Sequence, residues 1–192
     1  VLEIATTAAY PQGHSLLVAP KPLVDGQAAV VRVAAVEGGA NPAMAGLFVQ
    51  NGLDLRTAFT RQMAAFVTSG GAGHIRLGKP TNKTEVNQAV EGIKAPYWLK
   101  LEYRHGFIQA YASETGADDS WRALFKEPVT YTADDDAQDS GAGGEDAPDR
   151  EPADAATASP PLVVGIVFSG SGARASSIGR FESFSIHDIP AR

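Results

Sequence analysis

A chain of 192 residues, 44% of them hydrophobic, can bury one ordinary core, so neither a disulfide nor a metal is needed to hold it together. There is no cysteine, which excludes disulfides and thiolate metal sites, and no apolar run reaches the roughly 18 to 20 residues of a membrane-spanning helix. The net charge of −6 is unevenly placed: nine acidic residues and one arginine lie between Asp134 and Asp154, whereas the rest carries 13 acids against 15 lysines and arginines, too even a balance for a nucleic-acid surface.

The opening residues, VLEIATTAAY, lack the charged start and apolar core of a signal peptide, and a chain that starts at Val1 is expected to belong to a longer protein or assembly. Leu16-Leu17-Val18 is a short apolar run closed by Ala19-Pro20-Lys21-Pro22, as at the end of an edge strand, and Asp25-Gly26 marks a turn. From Ala28 to Val36, Val31, Val33 and Ala35 alternate with Arg32 and Ala34, the pattern of a strand buried on at least one face. After loop chemistry at Glu37 to Pro42, Ala45 to Gln50 reads as a strand stopped by Asn51-Gly52. Thr57 to Thr68 is ambiguous, because Phe59, Met63 and Phe66 also suit a helical face; the extended pattern of Ala65, Phe66 and Val67 predicts a strand. His74 to Leu77 returns as a short strand, and residues 78 to 96 read as a loop in which Asn82-Lys83-Thr84 matches a glycosylation sequon.

The clearest local code lies between Tyr97 and Trp121. Leu99, Leu101 and Tyr103 alternate with Lys100, Glu102 and Arg104, the period-2 signature of a strand with one wet face. Arg104-His105-Gly106 supplies a tight reversal, and Phe107, Gln109 and Tyr111 then alternate with Ile108, Ala110 and Ala112. Arg122 to Tyr131 predicts one more strand or two short ones. Residues 133–161, acidic and without aromatics, cannot offset their own ordering entropy and are expected to be a mobile insertion, either a solvating loop or a docking arm for a basic partner. Leu162 to Phe168 is apolar on both faces, as in a central strand. A Gly/Ser loop then leads to a closing strand in which Phe181, Ser183 and Ser185 alternate with Glu182, Phe184 and Ile186. Nine to eleven short strands without a convincing long helix predict an all-β fold of two packed antiparallel sheets, residues 1–192 forming one domain with the insertion at 133–161.

The series AGLFVQNGLD (45–54), TAFTRQMAAFVTSGGAGHIRL (57–77), APYWLKLEYRHGFIQAYASETGADDSW (95–121) and LVVGIVFSGSGARASSIGRFESFSI (162–186) resembles the bacterial laminin-G-like jelly rolls of the concanavalin A-like lectin and glucanase superfamily. The resemblance spans roughly residues 28 to 186 apart from the acidic insertion, and it rests mostly on fold-forming apolar positions. It implies a jelly-roll sandwich. Where the family usually shows a compact Y-S-x-D-G-x-x-W turn, this chain has the longer Tyr111 to Trp121 loop.

Glucanases of that superfamily place acidic residues at alternate positions of one strand, so that an acid and a nucleophile flank the scissile bond. No such run exists here: Glu102 and Glu182 are solitary, and the dense carboxylates lie in the insertion. Ser169-Gly170-Ser171-Gly172-Ala173-Arg174 has neither the nucleophile-elbow context nor a P-loop lysine. His14, His74, His105 and His187 are dispersed, without zinc-ligand spacing. No catalytic residue and no cofactor is expected; the resemblance to calcium lectins makes Asp118 and Asp119 the candidates for a calcium ion. The chain therefore reads as a non-catalytic protein-interaction or accessory domain, extracytoplasmic, with a protein partner. Carbohydrate binding is the alternative, on a face built from Gln50, Arg61, Gln62, Tyr97, Trp98, Gln109 and Trp121, because sugar rings stack on aromatics and amide or guanidinium groups bond their hydroxyls. Tyr103 and Tyr111 are expected inside the sandwich, with Trp121 as a core plug.

Overall fold

The computed structural model describes residues 1–6, 14–38, 43–50, 62–71, 73–77, 86–124, 129–130, 161–170 and 177–190. Strands that alternate dry and wet side chains hide the dry side only against a second layer. Two antiparallel sheets result. Sheet A runs β1 (Leu2–Thr6), β13 (Ser177–Asp188), β3 (Gln27–Glu37), β8 (Tyr97–Arg104), β9 (Phe107–Ser113) and β10 (Arg122–Ala123), with β11 (Val129–Thr130) also pairing with β9. Sheet B runs β2 (His14–Val18), β12 (Val163–Ser169), β4 (Met44–Gln50), β5 (Gln62–Thr68), β6 (Gly73–Leu77) and β7 (Val86–Val90). The one helical element among the described residues is a 3-10 turn at Asp118–Ser120, so no helix there is long and apolar enough to cross a membrane.

The core lies where the inner faces meet. Val31 and Val33 of β3, Leu99, Leu101 and Tyr103 of β8 and Ile108 of β9 are fully buried against Leu47 and Val49 of β4, Met63 of β5 and Phe168 of β12. Each such side chain contributes roughly 1.5 to 3 kcal/mol by leaving water. Sheet B also buries its opposite face: Phe48, Ala64, Phe66 and Val167 form a second apolar cluster, against which Leu16, Met44 and Val163 pack. This accounts for the doubly apolar sequence of β12.

The β8–β9 hairpin forms as its sequence predicts. His105 and Gly106 both take positive φ, at 53° and 77°, which is the two-residue turn whose twist matches the flanking strands. Asp25 receives the His105 amide on its Oδ1 at 2.5 Å, and the Gly26 amide donates to the Tyr103 carbonyl at 2.9 Å, so the Asp25-Gly26 turn locks the hairpin tip.

Three local expectations are corrected. β1 was not foreseen; Leu2-Glu3-Ile4-Ala5-Thr6 pairs with the distant β13, so its role depends on a partner some 175 positions away in sequence. Residues 86 to 90 form strand β7 and not a loop: VNQAV is weak in strand propensity and is ordered by pairing with β6. In β13, the register slips between Glu182 and Ser185, and Ser183 takes φ 55°, so the expected alternation breaks. Phe181 and Ile186 therefore share the core side while Phe184 is 37% exposed. The sequon, the acidic residues 133–160 and most of the glycine/serine loop lie outside the described residues.

Candidate functional site

The outer face of sheet A gathers polar and aromatic side chains because period-2 geometry sends every second residue of β3, β8, β9 and β13 there. The ladder sets them in rungs. His187, Ala28, Glu102 and Gln109 lie in register across the four strands, and Ser185, Val30, Lys100 and Tyr111 form the next rung. Beyond it come Glu182, Arg32, Trp98 and Ser113, where Arg32 and Glu182 are ion-paired.

Lys100 is the centre of this face. Its Nζ lies 2.7 Å from Glu102 Oε1 and 4.6 Å from the ring centroids of both Tyr111 and Trp121. The side chains of Lys100 and Glu102 are only 14% and 15% exposed, so the pair is shielded from water and its geometry is held. Each ring adds roughly 0.5 to 2 kcal/mol of cation–π attraction. Trp121 reaches this position through the loop after β9, which is tied to itself. Ser113 Oγ accepts the amides of Thr115 (3.2 Å) and Gly116 (2.8 Å) and bonds the Ser120 hydroxyl, which donates in turn to the Ala117 carbonyl at 2.6 Å. Gly116, at φ 77°, lies against the Trp98 indole, and a Cβ there would stand 2.8 Å from the ring. The loop is thereby folded down onto the sheet. Between it and the end of β13 opens a trough of about 160 Å³, lined by Ala28, Val30, Lys100, Glu102, Gly116, Asp118, Trp121, His187, Ile189 and Pro190.

The sequence-derived candidates are distributed over both sheets. Trp98, Gln109 and Trp121 share the outer face of sheet A, and Trp121 lines the trough. Tyr97 points inward and is 7% exposed, part of the core cluster. Gln50 and Gln62 pair in register on sheet B, Gln50 being 3% exposed on the face that also carries Phe48. Arg61 lies outside the described residues. Tyr103 is in the core as expected, but Tyr111 and Trp121 are on the outer face: Tyr111 alternates with the inward Ala110 and Ala112, and Trp121 is only half-buried, seated on Lys100 and not plugged into the interior. Asp118 borders the trough and Asp119 is exposed beside it; among the described residues no three His, Cys, Asp or Glu side chains converge as a metal site. Sequence reasoning missed Lys100 and Glu102 as site residues, and Ala28, Val30 and His187 with them.

Burial pushes the Tyr97 phenol above its ordinary value, opposed by the Arg122 charge and assisted by that of Glu114. A raised phenol favours the fold while it stays protonated. Stability from Tyr97 is thus complete below pH 10 and falls as the pH rises through the folded-state value. Thermal melts from pH 9 to 11.5 are expected to fall more steeply for the wild type than for Tyr97→Phe, and parallel curves would remove the assignment.

No family model matches the chain, and no curated protein matches it in sequence. Solved structures do. A functionally unknown protein from Saccharomyces cerevisiae is 13% identical with a TM-score of 0.51, the match covering 97% of this chain and 100% of the other. Alginate lyase A1-II′, of family 7, in complex with product, is 12% identical with a TM-score of 0.52, covering 97% and 79%. The fold is an antiparallel jelly-roll sandwich. At these identities the likeness is one of fold.

Proposed function

We propose that the protein is a non-catalytic carbohydrate-binding β-sandwich of laminin-G-like type, acting outside the cytoplasm as part of a larger protein or assembly. The observation that carries this reading is the trough on sheet A, where the Trp121 indole stands beside the Lys100–Glu102 pair in a hollow of about 160 Å³. An aromatic wall offers a sugar's apolar face a surface, and fixed charged groups at the base bond its hydroxyls. Glycoside hydrolysis uses two carboxyl groups flanking the bond. Among the described lining residues the carboxylates are Glu102, ion-paired through one oxygen with Lys100, and Asp118. Titrating a broad panel of oligosaccharides while following tryptophan emission is expected to give a saturable shift for at least one glycan. Trp121→Ala should weaken that glycan about tenfold, or about 1.4 kcal/mol. Emission that stays constant across the whole panel would end the proposal.

A second reading, a protein-interaction module, is favoured by a different place. An apolar notch of about 250 Å³ opens between the edge strands β1 and β2 and the bulge of β13, and Leu2, Leu17, Val18 and Phe184 line it while more than a third exposed. Sheet edges of this kind accept an extended partner segment by strand addition. A co-purifying partner from the native host should be released by Leu17→Glu; retention by that variant would discard the notch.

A further inference from the structure

Resting on the glycan reading above, we propose that the trough takes one chain-terminal sugar residue end on, and that this residue carries no acidic group. The depth comes from β3. Ala28 is a short side chain between His187 and Glu102, and Val30 lies beside the longer Lys100, so the face sinks along β3 between His187 on one side and Lys100 and Glu102 on the other. Neighbouring strands are about 4.8 Å apart, so the two intervals from β13 to β8 span roughly 10 Å between backbones and about 6 Å between the flanking side chains, room for one six-membered ring entering edge on. The volume agrees: about 160 Å³ is close to the roughly 150 Å³ apolar cavity that accepts one benzene ring, and it leaves no room for a second sugar.

Both ends of the trough are closed. At one end the next rung carries the Arg32–Glu182 ion pair and the Trp98 indole with Gly116 laid upon it. At the other, the segment leaving β13 is pinned across the sheet: the Ile189 amide donates to the Gly26 carbonyl at 2.7 Å, and Arg104 Nη2 donates to the Pro190 carbonyl at 3.1 Å. A polysaccharide lying along the face would have to cross one of these barriers. A chain end entering from solvent meets Trp121 on one flank and His187 on the other.

Charge selects the kind of sugar. Among the described residues Lys100 is the single lysine or arginine on the trough wall, and its ammonium is taken by Glu102 and by two aromatic rings. Asp118 and the second oxygen of Glu102 remain as acceptors, which suit hydroxyl or amide donors. A uronate or sulfate group would face two carboxylates, with no uncommitted lysine or arginine among the described lining residues to receive it.

Calorimetric titration of the full chain tests this with methyl glycosides of glucose, galactose, mannose and N-acetylglucosamine, the matching tetrasaccharides, and tetrasaccharides of guluronate and glucuronate. For the neutral sugar that binds, the methyl glycoside is expected within about threefold of its tetrasaccharide, and the uronates at least about tenfold weaker. His187→Trp, at an exposed position on the rim, should weaken the methyl glycoside about tenfold with the melting temperature unchanged. Affinity that climbs about tenfold or more from one residue to four, uronates that bind as tightly as neutral sugars, or a His187→Trp variant that binds like the wild type each overturns the proposal while leaving glycan binding in place. Binding by neither the neutral nor the acidic sugars defeats the glycan reading itself.

Discussion

Gly46→Ala is expected to cost about 3 kcal/mol of unfolding free energy and to lower the melting temperature by roughly 6 to 12 °C. Gly46 sits in the middle of β4, opposite Phe66 on β5 and Val167 on β12. A Cβ built there lies 1.8 Å from the Ala65 carbonyl oxygen and 2.8 Å from the Ala65 carbonyl carbon. Both are backbone atoms of the adjacent strand, so no rotamer change relieves the clash and the ladder itself must move. Gly165, on β12, has the same constraint, with Leu17 O 2.1 Å and Phe48 Cε1 2.9 Å from the added carbon. Glycine in a strand ordinarily reads as a weakness; at these two positions it is what lets the neighbouring backbone and a phenyl ring approach. Thermal melts of the two single variants and of Gly26→Ala decide the point. At Gly26 the cost is its positive φ of 84° alone, since nothing lies within 4 Å of the added carbon. Gly46→Ala melting within 2 °C or so of the wild type would mean that β4 and β5 do not pair as described.

Lys100→Met is expected to cost about 2 kcal/mol, more than an ordinary surface ion pair, and to disturb the trough. The substitution keeps an unbranched side chain, one atom shorter, but leaves Glu102, 15% exposed, with no cation against it. Removing one partner of a shielded pair exposes the other to its desolvation penalty, whereas removing both can be nearly neutral. The double variant Lys100→Met with Glu102→Gln should therefore cost only about 1 kcal/mol; with Glu102→Gln alone also costing about 1 kcal/mol, the double-mutant cycle gives a coupling of about 2 kcal/mol. Chemical denaturation of the four proteins measures it. Additive losses would show that Lys100 is held by the rings and not by Glu102.

The hairpin was legible because everything that builds it is local: alternation in Leu99 to Tyr103, the His105-Gly106 reversal, alternation again from Phe107. The same is true of β12, whose two dry faces follow from its sequence. Legibility fails wherever a segment is ordered by something distant. Leu2 to Thr6 and Val86 to Val90 are weak strands on their own and are fixed by β13 and β6. The candidate residues illustrate the same limit. Alternation separates the two faces of a strand but does not say which sheet a strand joins, so Gln50 and Gln62 could not be told apart from Trp98 and Gln109 until pairing put the first two on sheet B. Tyr97 reads as a surface aromatic from its neighbour Trp98, yet it begins the inward series that continues through Leu99. Trp121 has no period to place it, since it follows a loop. The trough had one readable sign: β3 sends the small Ala28 and Val30 outward, in a strand where longer polar residues would be ordinary on a wet face.

The two strands nearest the end of the described chain, β12 and β13, do not lie at the margins of the sheets. Strand β12 sits between β2 and β4, and β13 between β1 and β3. During synthesis the middle of the chain, β3 to β9, meets its ladder partners as it leaves the ribosome, but β1 and β2 wait without a neighbour until residues 163 to 188 have emerged. Such late insertion makes for slow folding and a nascent intermediate with two open sheet edges, the condition in which chaperones act and in which a truncated polypeptide would aggregate.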